Sequence, residues 1–189
     1  MSIQNNSWQD TCVVTIAKSG GSEVAIAAKT RDITIGGGER GLDVLNVNSG
    51  QIAKHNRQEP FEIGFDNVIP LYVDDFRQKK EGGTDASQPI QVTAGTSRDP
   101  YRIAILWANT TGVAGEDAVA NVAARRTIIK DCYFTSMEEN WADQLLEGNA
   151  TFMVPALDLT GGGNVMWESN TGSGATMTAL TAYTGGNFK

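Results

Sequence analysis

Apolar and polar positions alternate with a period of two along most of this chain. Phe61, Ile63 and Phe65 fall on one face of a short segment, and Glu62, Gly64 and Asp66 on the other. That is the pattern of a strand with one buried face. Tyr101, Ile103, Ile105 and Trp107 repeat it, and so does 150–154. Residues 126–136 form the longest strand candidate. The pattern places Phe61, Ile63, Phe65, Ile103, Ile105, Phe134 and Phe152 in the core. Nearer the N-terminus, the apolar runs 12–17 and 23–28 flank Lys18-Ser19-Gly20-Gly21-Ser22, which predicts a hairpin. The run 31–35 meets Gly36-Gly37-Gly38, which is expected to be a loop. Residues 42–47 and 51–57 flank a turn at Asn48-Ser49-Gly50. Pro70 interrupts the apolar run 68–73 and argues for an edge, a bend or a bulge.

Helical signal is sparse. Residues 74–81 begin with Asp74-Asp75, end near Lys79-Lys80 and meet Gly82-Gly83. That order of charges suits a helix dipole, so one short helix is predicted there. Residues 138–147 are expected to be a turn plus strand entry, because Trp141, Leu145 and Leu146 fit a helical period poorly. Residues 82–100 are rich in Gly, Thr, Ser, Asp and Pro and make the longest loop candidate. Residues 109–121 read as a Gly-rich polar insertion, 1–9 as a flexible N-terminus and 171–189 as a polar C-terminal tail. Strand follows strand with little helix, so the expected class is mainly all-β, a sandwich or barrel, in a single domain over 1–189.

Composition narrows the function classes. Over 189 residues, 40% hydrophobic and 20% charged, the chain is globular in kind and not of the disordered type. A net charge of −7 repels duplex DNA, which disfavours sequence-reading of nucleic acid. No run approaches the ~18–20 apolar residues of a membrane helix. The first ten residues lack the apolar core of a signal peptide, so synthesis and assembly in the cytoplasm are expected.

Candidate chemistry is thin. His55 is the only histidine and stands between Lys54 and Arg57, a poor setting for a catalytic base. Cys12 and Cys132 are too few for a zinc site and read as buried thiols. Gly36-Gly37-Gly38-Glu39-Arg40 lacks the Lys-Ser/Thr ending of a phosphate loop. Asp74-Asp75 and Glu138-Glu139 are paired acids, but adjacent residues on a strand point apart, which does not suit a glycosidase; a solvated face is the first reading and a calcium-binding role the alternative. The sequons at Asn109 and Asn149 carry little without a secretion signal. Trp8, Trp107, Trp141 and Trp167 are dispersed, so core or interface packing is the default for most of them. No catalytic residue, metal ligand or cofactor is expected, and the chain is not expected to be an enzyme.

Three segments carry a resemblance. They are Gln58-Glu59-Pro60-Phe61-Glu62-Ile63-Gly64-Phe65, then Arg125-Arg126-Thr127-Ile128-Ile129-Lys130-Asp131-Cys132-Tyr133-Phe134, then Asn149-Ala150-Thr151-Phe152-Met153-Val154-Pro155-Ala156-Leu157-Asp158. In this order and separation the chain resembles the tail tube proteins of long-tailed viruses, over roughly 36–167. The resemblance implies a small β-sandwich with one short helix. Six copies would form a ring, and stacked rings a tube through which viral DNA passes. The implied partners are other copies of the chain, a tail tip or baseplate, a tail terminator and, in some particles, a sheath. The same fold occurs in injection machines and in secreted ring proteins. An acidic lumen would let DNA slide instead of binding. The lumen candidates are Glu62, Asp66, Asp131, Glu138 and Glu139. The candidates for contact between rings are Thr84, Asp85, Ser87, Gln88 and Ile90 in the long loop. Two other classes compete: a carbohydrate-binding or adhesion sandwich, marked by clustered exposed tryptophans, and a hydrolase, marked by two converging carboxylates.

Overall fold

The computed structural model describes residues 11–21, 24–25, 32–47, 50–55, 58–68, 73, 76–77, 80, 99–108, 123–142, 145–158, 160–171 and 177–189. Among them are ten strands: β1 (Thr11–Lys18), β2 (Val24–Ala25), β3 (Asp32–Gly37), β4 (Leu42–Val47), β5 (Gly50–His55), β6 (Phe61–Val68), β7 (Tyr101–Ala108), β8 (Ala123–Ala142), β9 (Leu145–Val154) and β10 (Val165–Thr171). The class is therefore mainly β, as the alternation predicts. Val73, Phe76, Arg77 and Lys80 are helical, in the region expected to hold the one short helix. The long-loop residues Thr84, Asp85, Ser87, Gln88 and Ile90 lie outside the described residues, as do 1–9 and 109–121.

The strands run β2-β1-β7-β8-β9-β6-β3 in one antiparallel sheet, and β10 joins by pairing with β8. The 20 residues of β8 serve both halves of this sheet. Its first part pairs with β7 and β10, and its second part with β9. The sheet folds over along β8, so that β1, β7 and β10 face β6 and β9. Rings meet across the fold: Tyr101 with Phe152 at 6.1 Å, and Phe61 with Trp167 at 6.3 Å. Between the halves lie Phe61, Ile63, Phe65, Ile103, Ile105, Phe134 and Phe152, all buried, as their period-two placement predicts. The sheet does not close into a barrel among the described residues.

Two β-bulges explain where strict alternation fails. Tyr101 pairs with Cys132 and Ile103 with Ile129, so Arg102 opposes both Lys130 and Asp131. Farther along, Phe134 pairs with Phe152 and Ser136 with Thr151, which leaves Thr135 as the extra residue. Its hydroxyl donates to the Thr151 carbonyl at 3.1 Å. The second bulge resets the alternation and keeps Met137 buried. Strand β8 then continues to Ala142, and β9 begins at Leu145. The turn expected over 138–147 is thus a long hairpin with Trp141 near its tip.

The Gly36-Gly37-Gly38 segment also differs from expectation. It is not a free loop: β3 runs through Gly37, which pairs with Phe61. Only at Gly37 and Gly38 does the backbone turn to positive φ, 85° and 75°. A Cβ on Gly38 would lie 2.2 Å from the Phe61 ring, so only glycine fits there.

Candidate functional site

The two outward faces of the folded sheet differ in cover and charge. On the β3-β6-β9-β8 half, Gly36, Glu62, Met153 and Tyr133 stand in one cross-strand row. Thr34, Gly64, Thr151 and Ser136 form the next row. Asp32 pairs with Asp66, and Glu138 with Asn149, at the end of the same face. Partners directly opposite one another share a face, so these residues make one four-stranded surface. Apart from Met153, its side chains are small or polar. Its charged residues, Asp32, Glu62, Asp66 and Glu138, are all acidic. Asp32, Glu62 and Glu138 are exposed, and Asp66 is half-buried. Gly64 keeps the surface low at its centre, where a Cβ would meet the Thr34 hydroxyl at 2.5 Å.

Three of the five lumen candidates, Glu62, Asp66 and Glu138, therefore lie together, and the fold adds Asp32. The other two go elsewhere. Glu139 points to the opposite side of β8 and accepts a hydrogen bond from the Arg77 Nε at 2.6 Å. Asp131 is buried inside the subunit. It accepts from the Tyr183 hydroxyl at 2.7 Å and from the Gly186 amide at 2.9 Å. This is a correction to the sequence-based expectation: the bulge opposite Arg102 turns Asp131 toward the C-terminal segment.

That segment, 177–189, covers the outward face of the β1-β7-β8-β10 half. Arg102 donates to the carbonyls of Thr181 and Phe188, and Arg126 to the Thr178 carbonyl at 2.6 Å. Arg126 also pairs with Glu168, which pairs in turn with Lys189. The Lys130 ammonium lies 4.6 Å from the centre of the Phe188 ring. Arg102 and Arg126 are fully buried, yet both find acceptors. The tail that reads as merely polar in the sequence is the lid of a polar layer. One face of the fold thus holds its cations under the C-terminal segment, while the other, with no described segment laid over it, carries acids.

Asp158 anchors this layer at its edge. Its Oδ1 accepts from the Thr160 hydroxyl and amide, both at 2.8 Å, and from the Gly162 amide at 2.7 Å. Its Oδ2 pairs with Lys130. The Lys130 ammonium first, and then the Thr160 hydroxyl and the two amides, hold the Asp158 carboxyl well below the ordinary carboxylate range. A carboxyl depressed by folding contributes stability above its unfolded pKa of about 4, and that contribution is lost as pH falls toward the folded value. Asp158→Asn should therefore flatten part of the acid limb of stability below about pH 4. Thermal melts from pH 7 to 2 check this, and identical acid limbs in the two proteins would disprove the linkage.

The tryptophans are less dispersed than their sequence positions. Trp107 and Trp167 line one cleft of about 400 Å³, with Ile35, Gly37, Phe61, Arg125 and Thr127. The cleft is the mouth of the folded sheet: Trp167 pairs with Thr127, and Arg125 with Trp107, beyond the point where β6 begins. Trp167 is 53% exposed and Trp141 73%, so neither is a core residue of the subunit. Trp8 lies outside the described residues, as does the side chain of His55. Among the described residues no group of three or more His, Cys, Asp or Glu is placed to hold a metal ion. Burial first, and then the Asp131 charge, push the Cys132 thiol up, away from the reactive thiolate.

Solved structures contain chains similar to this one. One, the 6-fold symmetrised anti-feeding prophage baseplate, shares 10% identity over 89% of this chain and 97% of its own, at a TM-score of 0.48. Another, the sheath-tube complex of an extracellular contractile injection system in the extended state, shares 11% over 83% and 88%, at 0.46. A third, the tube-terminating cap of the anti-feeding prophage, shares 12% over 83% and 88%, at 0.45. At scores this low the likeness carries no functional argument. No protein-family model matches the sequence, and no curated protein matches it.

Proposed function

We propose that the chain is the repeating structural subunit of a tail-type tube, in a long-tailed virus or a related injection machine, and not an enzyme. The observation that supports this is the four-stranded face whose charges, Asp32, Glu62, Asp66 and Glu138, are all acidic. A monomer gains little from a sheet face whose charges all share one sign. As the inner wall of a channel it has a physical use: it repels phosphate, so DNA passes without the counterion release that would hold it. The resemblance along 36–167 leads to the same role, in rings that are hexameric in that family. The partners are then other copies of the chain, a tail tip or baseplate, a terminator and, where present, a sheath.

At micromolar concentration the purified protein should form rings or tubes with a central channel in electron micrographs. Only a monodisperse monomer at every salt concentration would overturn the proposal. The double variant Glu62→Lys, Glu138→Lys should still assemble, because both side chains are exposed, but its tubes should retain DNA at low salt and release it at high salt. Equal DNA retention by both proteins would mean that the acidic face does not line the channel.

A further inference from the structure

Strands β4 and β5 form an arm that leaves the main sheet. The ladder between β3 and β6 continues into it: the Gly38 amide donates to the Pro60 carbonyl at 3.2 Å, and the Glu59 amide to the Glu39 carbonyl at 2.8 Å. Arg40 then donates to the Gln58 side chain at 2.9 Å, and Leu42 pairs with His55. Beyond that point, among the described residues, β4 and β5 pair only with each other. Each face of the arm carries exposed apolar side chains among polar ones. Leu42 and Val44 stand on one face, and Leu45 opposite Ile52 on the other. Leu45 is 61% exposed and Ile52 54%. A two-stranded ribbon with nothing against it is marginal in water. Exposed apolar residues grouped in this way mark a contact surface.

The same chain carries an unfilled counterpart. The cleft at the mouth of the folded sheet presents Trp107, Trp167 and Phe61, with Arg125 on its rim. Exposed tryptophan and arginine are the residues that most often anchor interfaces. The arm cannot serve its own cleft. Gly37 is both a wall of the cleft and the root of the arm, and Leu45 lies eight residues further along, roughly 26 Å at strand rise. A paired ribbon cannot double back over that distance without giving up its ladder.

We infer that the arm of one copy docks its Leu45–Ile52 face into the Trp107–Trp167 cleft of the next copy. The contact is head-to-tail, so each copy gives one arm and receives another, and such contacts generate rings or filaments. Asp43, on the same arm face opposite Lys54, supplies an acid for Arg125. This inference rests on the self-assembly proposed above and adds the surfaces that perform it.

The test uses full-length protein and two kinds of variant. Leu45→Asp with Ile52→Asp disables the arm. Trp167→Ala, or Arg125→Glu at an exposed position, disables the cleft. Circular dichroism and melting establish that each is folded, and light scattering after size exclusion gives its mass. Each variant alone should stay monomeric at concentrations about 10–100-fold above the wild-type assembly threshold. A mixture of arm-disabled and cleft-disabled protein keeps one intact joint per pair, so it should stop at a one-to-one dimer. Trp167 fluorescence should shift on mixing the arm-disabled protein with Arg125→Glu. If wild type assembles and both variants assemble equally well, this inference fails while the proposed function stands. If wild type never assembles, both fail. Quenching of Trp167 by an oligosaccharide without change in mass would make the cleft a carbohydrate site and also overturn the inference.

Discussion

Phe152→Ala is expected to lower the free energy of unfolding by about 3–5 kcal/mol, the largest loss from any single core truncation in this fold. Phe152 is fully buried and lies at the meeting point of both halves of the sheet. Its ring stacks on Phe134 with centroids 4.4 Å apart, and meets Phe65 edge-on at 5.5 Å and Tyr101 at 6.1 Å. Phe65 and Phe134 also touch Phe76, on the short helix. Removing one ring therefore opens a cavity bordered by β6, β7 and β8. Those strands are fixed by their ladders and cannot collapse to fill it. Urea denaturation checks the figure. A loss below about 1 kcal/mol would mean that the sheet halves do not pack through this cluster. Leu45→Ala on the arm is the control: its side chain is exposed in the subunit, so monomer stability should change by no more than about 0.5 kcal/mol.

The aromatic core was legible because its residues keep the period of two. Phe61, Ile63 and Phe65 alternate with Glu62, Gly64 and Asp66, and burial follows that alternation. Legibility failed at the bulges. One inserted residue reverses the sides of a strand, and no composition signal marks Thr135 as that residue. Asp131 shares β8 with Glu138 and differs in fate because the C-terminal segment lies over it, with the Tyr183 hydroxyl and the Gly186 amide donating to its carboxylate. The acidic face was partly legible. Glu62 and Asp66 are four apart on one strand, an even spacing that sets them on one face, but Asp32 joins them only through the β3–β6 register, which a sequence read alone does not show. The Trp107–Trp167 cleft was hidden for the same reason. Sixty residues separate the two tryptophans, and β8 carries the register that sets them near each other. The C-terminal segment was illegible for a different reason. Small polar residues such as Thr178 and Thr181 bind through backbone carbonyls, and carbonyls carry no signature of residue type.

Asp131→Ala is expected to cost about 2–4 kcal/mol, because it leaves the buried Tyr183 hydroxyl and the partly buried hydrogen bond of the Gly186 amide without an acceptor. The Tyr183 hydroxyl and the Gly186 amide both point at this carboxylate, and Tyr183 is fully buried. The segment 177–189 should then come away from the sheet, with faster amide exchange at Gly186 while the amides of β6 and β9 stay protected. Tyr183→Phe removes one hydrogen bond and keeps the ring against Arg102, so its cost should be smaller, about 1–2 kcal/mol. The two variants also separate by pH. Burial first, and then the hydrogen bond to Asp131 and its charge, raise the Tyr183 phenol above its ordinary range. A group raised in the folded state contributes fully below its unfolded pKa of about 10 and loses that contribution as pH climbs toward the folded value. Wild type should therefore weaken above about pH 10, and Tyr183→Phe should weaken less steeply over the same window. Equal alkaline limbs would show that the phenol is free to ionise in place. Unchanged exchange at Gly186 in Asp131→Ala would show that the segment is held by Arg102 and Arg126 alone.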